Sequence, residues 1–71
     1  MAWRMTAAEI RQLREELGLS QAHAAKMLGV NDRTWRRWEL SESEMPAPAV
    51  RLLLVMHLPA VQRALVQMTD P

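Results

Sequence analysis

The sequence predicts an all-α fold, a compact bundle of five short helices. Three observations carry that prediction. Apolar residues recur at three- and four-residue spacings in five separate stretches. Capping residues, glycines and prolines punctuate those stretches. No alternating strand pattern and no internal repeat is visible in the 71 residues, which make one small domain. The expected division is an N-terminal arm at 1–5, a core at 6–57 and a C-terminal helix at 59–69.

The first helix is expected over 7–17. Thr6-Ala7-Ala8-Glu9 has the form of a capping box, in which Thr6 bonds the Glu9 amide and Glu9 reaches back. Met5 and Ile10 occupy the staple positions around it. Ile10, Leu13 and Leu17 form an apolar stripe, and Gly18 stops the helix. Trp3, ahead of it, either covers apolar surface, hangs loose or touches a partner.

The second helix is expected over 21–28, capped by Ser20, with Ala24, Ala25 and Leu28 on one face. Gly29 is free to take positive φ, so it can end that helix and bend the chain. Val30 turns back toward the core. Asn31 caps a third helix over 32–39. Trp35 and Trp38 stand three apart and share a face. Arg33, Arg36 and Arg37 fill the remaining circumference. One short helix thus has an apolar side that anchors it and a cationic side that stays in water.

A polar link at 40–47 contains Pro46. Pro48 suits a first helical position, where its missing amide costs nothing. The fourth helix is expected over 49–57, with Val50, Leu53 and Leu54 inward. His57, near its end, suits a site favoured by the helix dipole. Pro59 opens a fifth helix to about Met68, its stripe formed by Val61, Ala64, Leu65 and Met68.

Composition narrows the chemistry. The apolar share is 49% and the net charge only +1, so the local charge distribution carries the information. Lys26, Arg33, Arg36 and Arg37 stand against Asp32 alone between Ser20 and Trp38, whereas the link beyond is acidic. With no cysteine there is neither a disulfide nor a cysteine zinc site. His23 and His57 are too far apart in sequence to make a good metal site, and no metal or cofactor is expected. No nucleophile–base pairing, phosphate loop or acidic dyad appears, so an enzyme is not expected. A chain this short leaves no room for a ligand-sensing domain, and no small-molecule ligand is expected. Residues 1–5 lack the apolar segment of a signal peptide. The longest apolar run, 52–56, is far too short to span a bilayer. A soluble cytoplasmic protein without membrane contact is the expectation.

The pattern S-Q-x-x-x-A-x-x-L-G-V-N-x-x-T-W-x-x-W-E, running from Ser20 to Glu39, resembles the helix-turn-helix of the lambda repressor and Cro family, also called the XRE family. The resemblance implies a five-helix lambda-repressor-like bundle that binds double-stranded DNA. It implies that Gln21 lies against the DNA backbone and that the third helix enters the major groove. The groove positions then fall on Asp32, Arg33 and Thr34, and one turn later on Arg36 and Arg37. A guanidinium donates two parallel bonds to guanine O6 and N7, so Arg33 and Arg37 are the main candidate base readers. Asp32 either accepts from cytosine or stabilises the helix N-terminus. Thr34 touches a thymine methyl or a phosphate, or joins the turn at Asn31. Arg36 and Lys26 suit phosphates.

Trp35 and Trp38 are expected in the core, since stacking on bases is a single-strand device. The indole of Trp35 is expected to fill room left by the small Ala24. Arg14 and Glu39 match positions that pair in phage repressors, which implies a partly buried bridge that orients more than it stabilises. Glu42 and Glu44 depart from the pattern, because that link often meets phosphate in this family. Either the link points away or the docking angle differs.

The C-terminal helix closes the protomer's own core or pairs with its twin. A homodimer is the favoured reading, with Val61, Ala64, Leu65 and Met68 as interface, because twofold symmetry doubles the contacts of one short helix. The expected function is sequence-specific repression on an inverted-repeat operator, with autoregulation of the chain's own operon. Chain length, the W-R-R-W-E helix and the M-P-A-P-A link are similar to anti-CRISPR-associated (Aca) autorepressors. An antitoxin repressing its own operon is an alternative. A protein-interaction module that does not bind DNA is another, and RNA binding stays open.

Overall fold

The structure is a computed structural model and describes residues 4–69. Five helices follow one another among the described residues: α1 (Ala7–Glu16), α2 (Gln21–Leu28), α3 (Asp32–Glu39), α4 (Ala47–Val55) and α5 (Pro59–Thr69). No strand occurs among the described residues. The fold is therefore all-α, as the sequence predicts. Trp3 lies outside the described residues, as does most of the expected arm.

Local chemistry sets the helix starts. Thr6 Oγ1 accepts from the Glu9 amide at 3.1 Å, and the Thr6 amide donates to Glu9 Oε1 at 2.8 Å, completing the capping box. Ser20 and Asn31 do the same work singly, accepting from the His23 and Thr34 amides. Met5, half-buried, packs on the core that Ile10 enters.

The first three helices end by one device, a pair of reversed backbone bonds around a left-handed residue. At α1 the Gly18 amide donates to Glu15 O and the Leu19 amide to Arg14 O; at α2 the Gly29 amide donates to Lys26 O and the Val30 amide to Ala25 O. Gly18 and Gly29 sit at φ 71° and 76°, where a side chain is strained. At α3 the same position falls to Ser41, at φ 60°. Its amide donates to Trp38 O and that of Glu42 to Arg37 O.

Three boundaries differ from the sequence reading. Leu17 caps α1 and does not extend it. Helix α4 starts and stops two residues early, at Ala47 and Val55 instead of Ala49 and His57. Pro46 is its N-cap and Pro48 still lies in the first turn, where neither lacks a bond it would otherwise make. His57 instead sits in the turn beyond, its Nδ1 3.1 Å from Leu53 O.

Ile10, Ala24, Ala25, Trp35, Trp38, Met45, Val50 and Leu53 form the core, with Leu13, Leu17, Leu28 and Val30 packed against it. Helix α2 packs on α3 and on α4, and α1 on α3. The sequence predicts Leu54 inward, but it is 39% exposed. The buried stripe of α4 runs in three-residue steps, Val50, Leu53 and then Met56 just past its end, and that leaves Leu54 off the stripe. Met45, in the link read as polar, is also buried.

The chain turns by 87° between α4 and α5. Val61 and Leu65 of α5 are half-buried, whereas Ala64 and Met68 are exposed. Gln62, Leu65 and Val66 line a shallow groove with Glu16, Leu17, Leu19, Met27 and Met56. No single helix among the described residues is long and apolar enough to cross a membrane.

Candidate nucleic-acid interface

Helix α3 divides cleanly by chemistry. Trp35 is fully buried and Trp38 nearly so. Their rings meet edge to face at 5.6 Å between centroids and 61° between planes, an arrangement that favours the aromatic quadrupoles. Ala24 is fully buried in the same core. Removing an indole such as that of Trp35 from a core costs about 3–5 kcal/mol.

The opposite side of α3 is solvated. Asp32, Arg33, Arg36 and Arg37 are exposed, and Thr34 is half-buried. Lys26 of α2 is exposed as well. None of these cations makes an ion pair among the described residues. Their charges are therefore uncompensated by the protein and available to an anion. Asn31, and not Thr34, caps the turn, through its side-chain oxygen on the Thr34 amide at 2.8 Å. The Thr34 hydroxyl is left out of that cap. Asp32 lies in the first turn of α3, where its charge suits the helix dipole.

At the far end of α3 a buried carboxylate joins three helices. Glu39 is 4% exposed. Arg14 of α1 donates to it from Nε at 2.6 Å and from Nη2 at 3.1 Å. Trp35 donates from Nε1 at 2.5 Å and Gln21 from Nε2 at 3.1 Å. Arg11 Nε approaches to 3.5 Å. Arg14 has a further bond from Nη1 to Leu19 O, at 2.9 Å. Burial pushes the Glu39 carboxyl up, but the bonds from Arg14, Trp35 and Gln21, with the charge of Arg14, outweigh it and hold the group at about 2. The bond to Glu39 raises Arg14 further above its already high value.

The sequence reading paired Glu39 with Arg14 and missed its other donors. Trp35 lies four residues before Glu39, so the two are helix neighbours, and Arg11 lies three before Arg14. Both spacings were available as signals. Gln21 had no local signal for this contact, since it comes from another helix. Its amide nitrogen turns toward Glu39, which anchors the side chain at the start of α2. Arg4 and Glu44 form an exposed pair at 2.9 Å, joining the chain ahead of α1 to the acidic link.

A helix-turn-helix domain family matches residues 7–66. The chain belongs to that family. The match takes in all of α1 to α4 and most of α5. Neither the curated proteins nor the solved structures yield a match. Within the matched residues α2 packs on α3, and Gly29 lies in the short turn that joins them. Such domains are typically DNA-binding regulators without catalytic activity. The solvated face of α3 is then the candidate surface for the duplex.

Proposed function

We propose that the chain is a homodimeric, sequence-specific repressor of the lambda repressor and Cro type, binding an inverted repeat in duplex DNA and autoregulating its own operon, as anti-CRISPR-associated autorepressors do. The observation that carries this reading is the row of exposed, unpaired arginines on a helix whose other side is fixed by two buried indoles. Exposed cations alone suit any acidic partner. Held on a rigid helix paired with α2, they suit the major groove, which admits an α-helix.

In this reading Arg33 and Arg37 contact guanine edges, and Asp32 and Thr34 act beside them at the start of α3. Arg36 and Lys26 take phosphates, and Gln21 lies against the backbone with one amide hydrogen left after its bond to Glu39. Steric exclusion of polymerase suffices for repression.

The dimer is supported by the distribution of apolar surface. Leu52, Leu54, Val55, Leu58, Val66 and Met68 are exposed on α4, α5 and the corner between them, Met68 at 80%. Together with Val61, Ala64 and Leu65 they offer apolar surface on both helices to a second copy. Two copies related by a twofold axis reach half-sites one turn apart, about 34 Å. The test is footprinting on the DNA upstream of the chain's own gene, with repeats at decreasing salt. Protection of two symmetric half-sites is expected. No protected region, and no salt-dependent affinity for any duplex, overturns the reading.

A further inference from the structure

We propose that Glu42 acts as a brake on sequence-independent DNA binding, a role that rests on the duplex-DNA reading above. Three helix ends are built on the same pair of reversed bonds. The residue after the left-handed position is Leu19 at α1, Val30 at α2 and Glu42 at α3. Leu19 and Val30 are half-buried and pack against the core. That apolar contact is the usual companion of this turn. At α3 it is given up for an exposed carboxylate.

Two further features of this turn run against local stability. The left-handed position is filled by Ser41, at φ 60°, where the other two turns have glycine. The carboxylate also sits just past a helix C-terminus, the end that disfavours negative charge. Local rules broken together at one place, next to a binding surface, are the mark of a functional requirement.

Of the two acids in this link, Glu42 is the one without an ion pair among the described residues. Arg4 pairs with Glu44 at 2.9 Å. Its amide donates to Arg37 O at 2.9 Å, and that of Ser43 to the same oxygen at 3.4 Å. The backbone thereby holds Glu42 directly beyond the arginine helix without neutralising Arg36 or Arg37. Non-specific complexes depend on phosphate attraction almost alone. A negative charge carried just past Arg37 by this turn weakens that attraction on every sequence, while the base contacts proposed for Arg33 and Arg37 are untouched.

The test compares the unsubstituted chain with Glu42→Gln and Glu16→Gln on a random-sequence duplex of about 24 base pairs, from 50 to 200 mM salt. Both variants raise net charge by one, but Glu16 lies on α1 beside the groove lined by α5. Circular dichroism confirms that both fold. Glu42→Gln should tighten binding about fivefold and steepen the salt slope by up to about one. Glu16→Gln should stay within about twofold, since salt screens distant charge. Equal gains from both variants would reduce the effect to bulk charge and overturn the proposal. No response to Glu42→Gln also overturns it, with the DNA reading intact. If the unsubstituted chain has no salt-dependent affinity for this duplex, both readings fall together.

Discussion

Replacing Glu39 by glutamine should cost this domain most of its margin of stability. The substitution keeps the shape and removes the charge. Arg14, with its side chain only 14% exposed, then keeps its bond to Leu19 O but loses its anion. Removing one partner of a buried pair costs about 3–5 kcal/mol. The carboxyl's acidity gives a second route to the magnitude. A group held at about 2 against an ordinary value of 4.5 corresponds to about 3 kcal/mol. A chain of this length has roughly 4–11 kcal/mol in total, so the loss is severe. The sign with pH follows from the depressed value. The contribution is complete above about pH 4.5 and fades as pH falls toward 2. Urea unfolding followed by tryptophan fluorescence measures it directly. At neutral pH the midpoint should fall by about 2 M, with the slope unchanged. The gap between the two proteins should close as pH drops from 5 to 2. A loss below about 1 kcal/mol, or a gap that persists at pH 2, would refute the account of Glu39 as an ion-paired hub.

Arg37→Ala should relax base preference at one operator position, costing about 1–3 kcal/mol there; equal losses on selected and random duplexes count against base reading. Lys26→Ala should weaken all duplexes alike and reduce the salt slope by about one, and an unchanged slope removes its phosphate role. Truncation before Pro59 should convert a dimer to a monomer in analytical ultracentrifugation, and a surviving dimer moves the interface off α5. Ser41→Gly should raise stability by about 1 kcal/mol, because glycine adopts φ 60° without the strain serine carries there. A midpoint that stays put or falls would show that the serine side chain contributes more than the strain costs.

The parts of this fold legible in the sequence were those decided within a few residues. Thr6, Ser20 and Asn31 announce helix starts because a short polar side chain ahead of an apolar run has one obvious use. Trp35 and Trp38 announce a buried face by their spacing. What escaped was decided at a distance or between near-equal local options. Pro46 and Pro48 both fit a helix start, and only packing selects Ala47 as the first residue of α4. Met45 and Met56 enter the core because the neighbouring helices leave room there, which no local period records. Ser41 carries no left-handed signal, since serine rarely takes that conformation. At the candidate interface the exposure of the arginines was readable from α3 alone. The hub at Glu39 was not, because Gln21 meets it across a helix boundary.

Lys26, Arg33, Arg36 and Arg37 have no ion-pair partner within the described molecule. Their identities are thus nearly uncoupled from folding, in contrast to Trp35, Trp38 and Glu39 on the inner side of α3. Substitutions at the outer positions alter what is touched while leaving the scaffold intact. If those positions contact duplex DNA as proposed, the module can be retargeted one side chain at a time, each step passing through a well-folded protein.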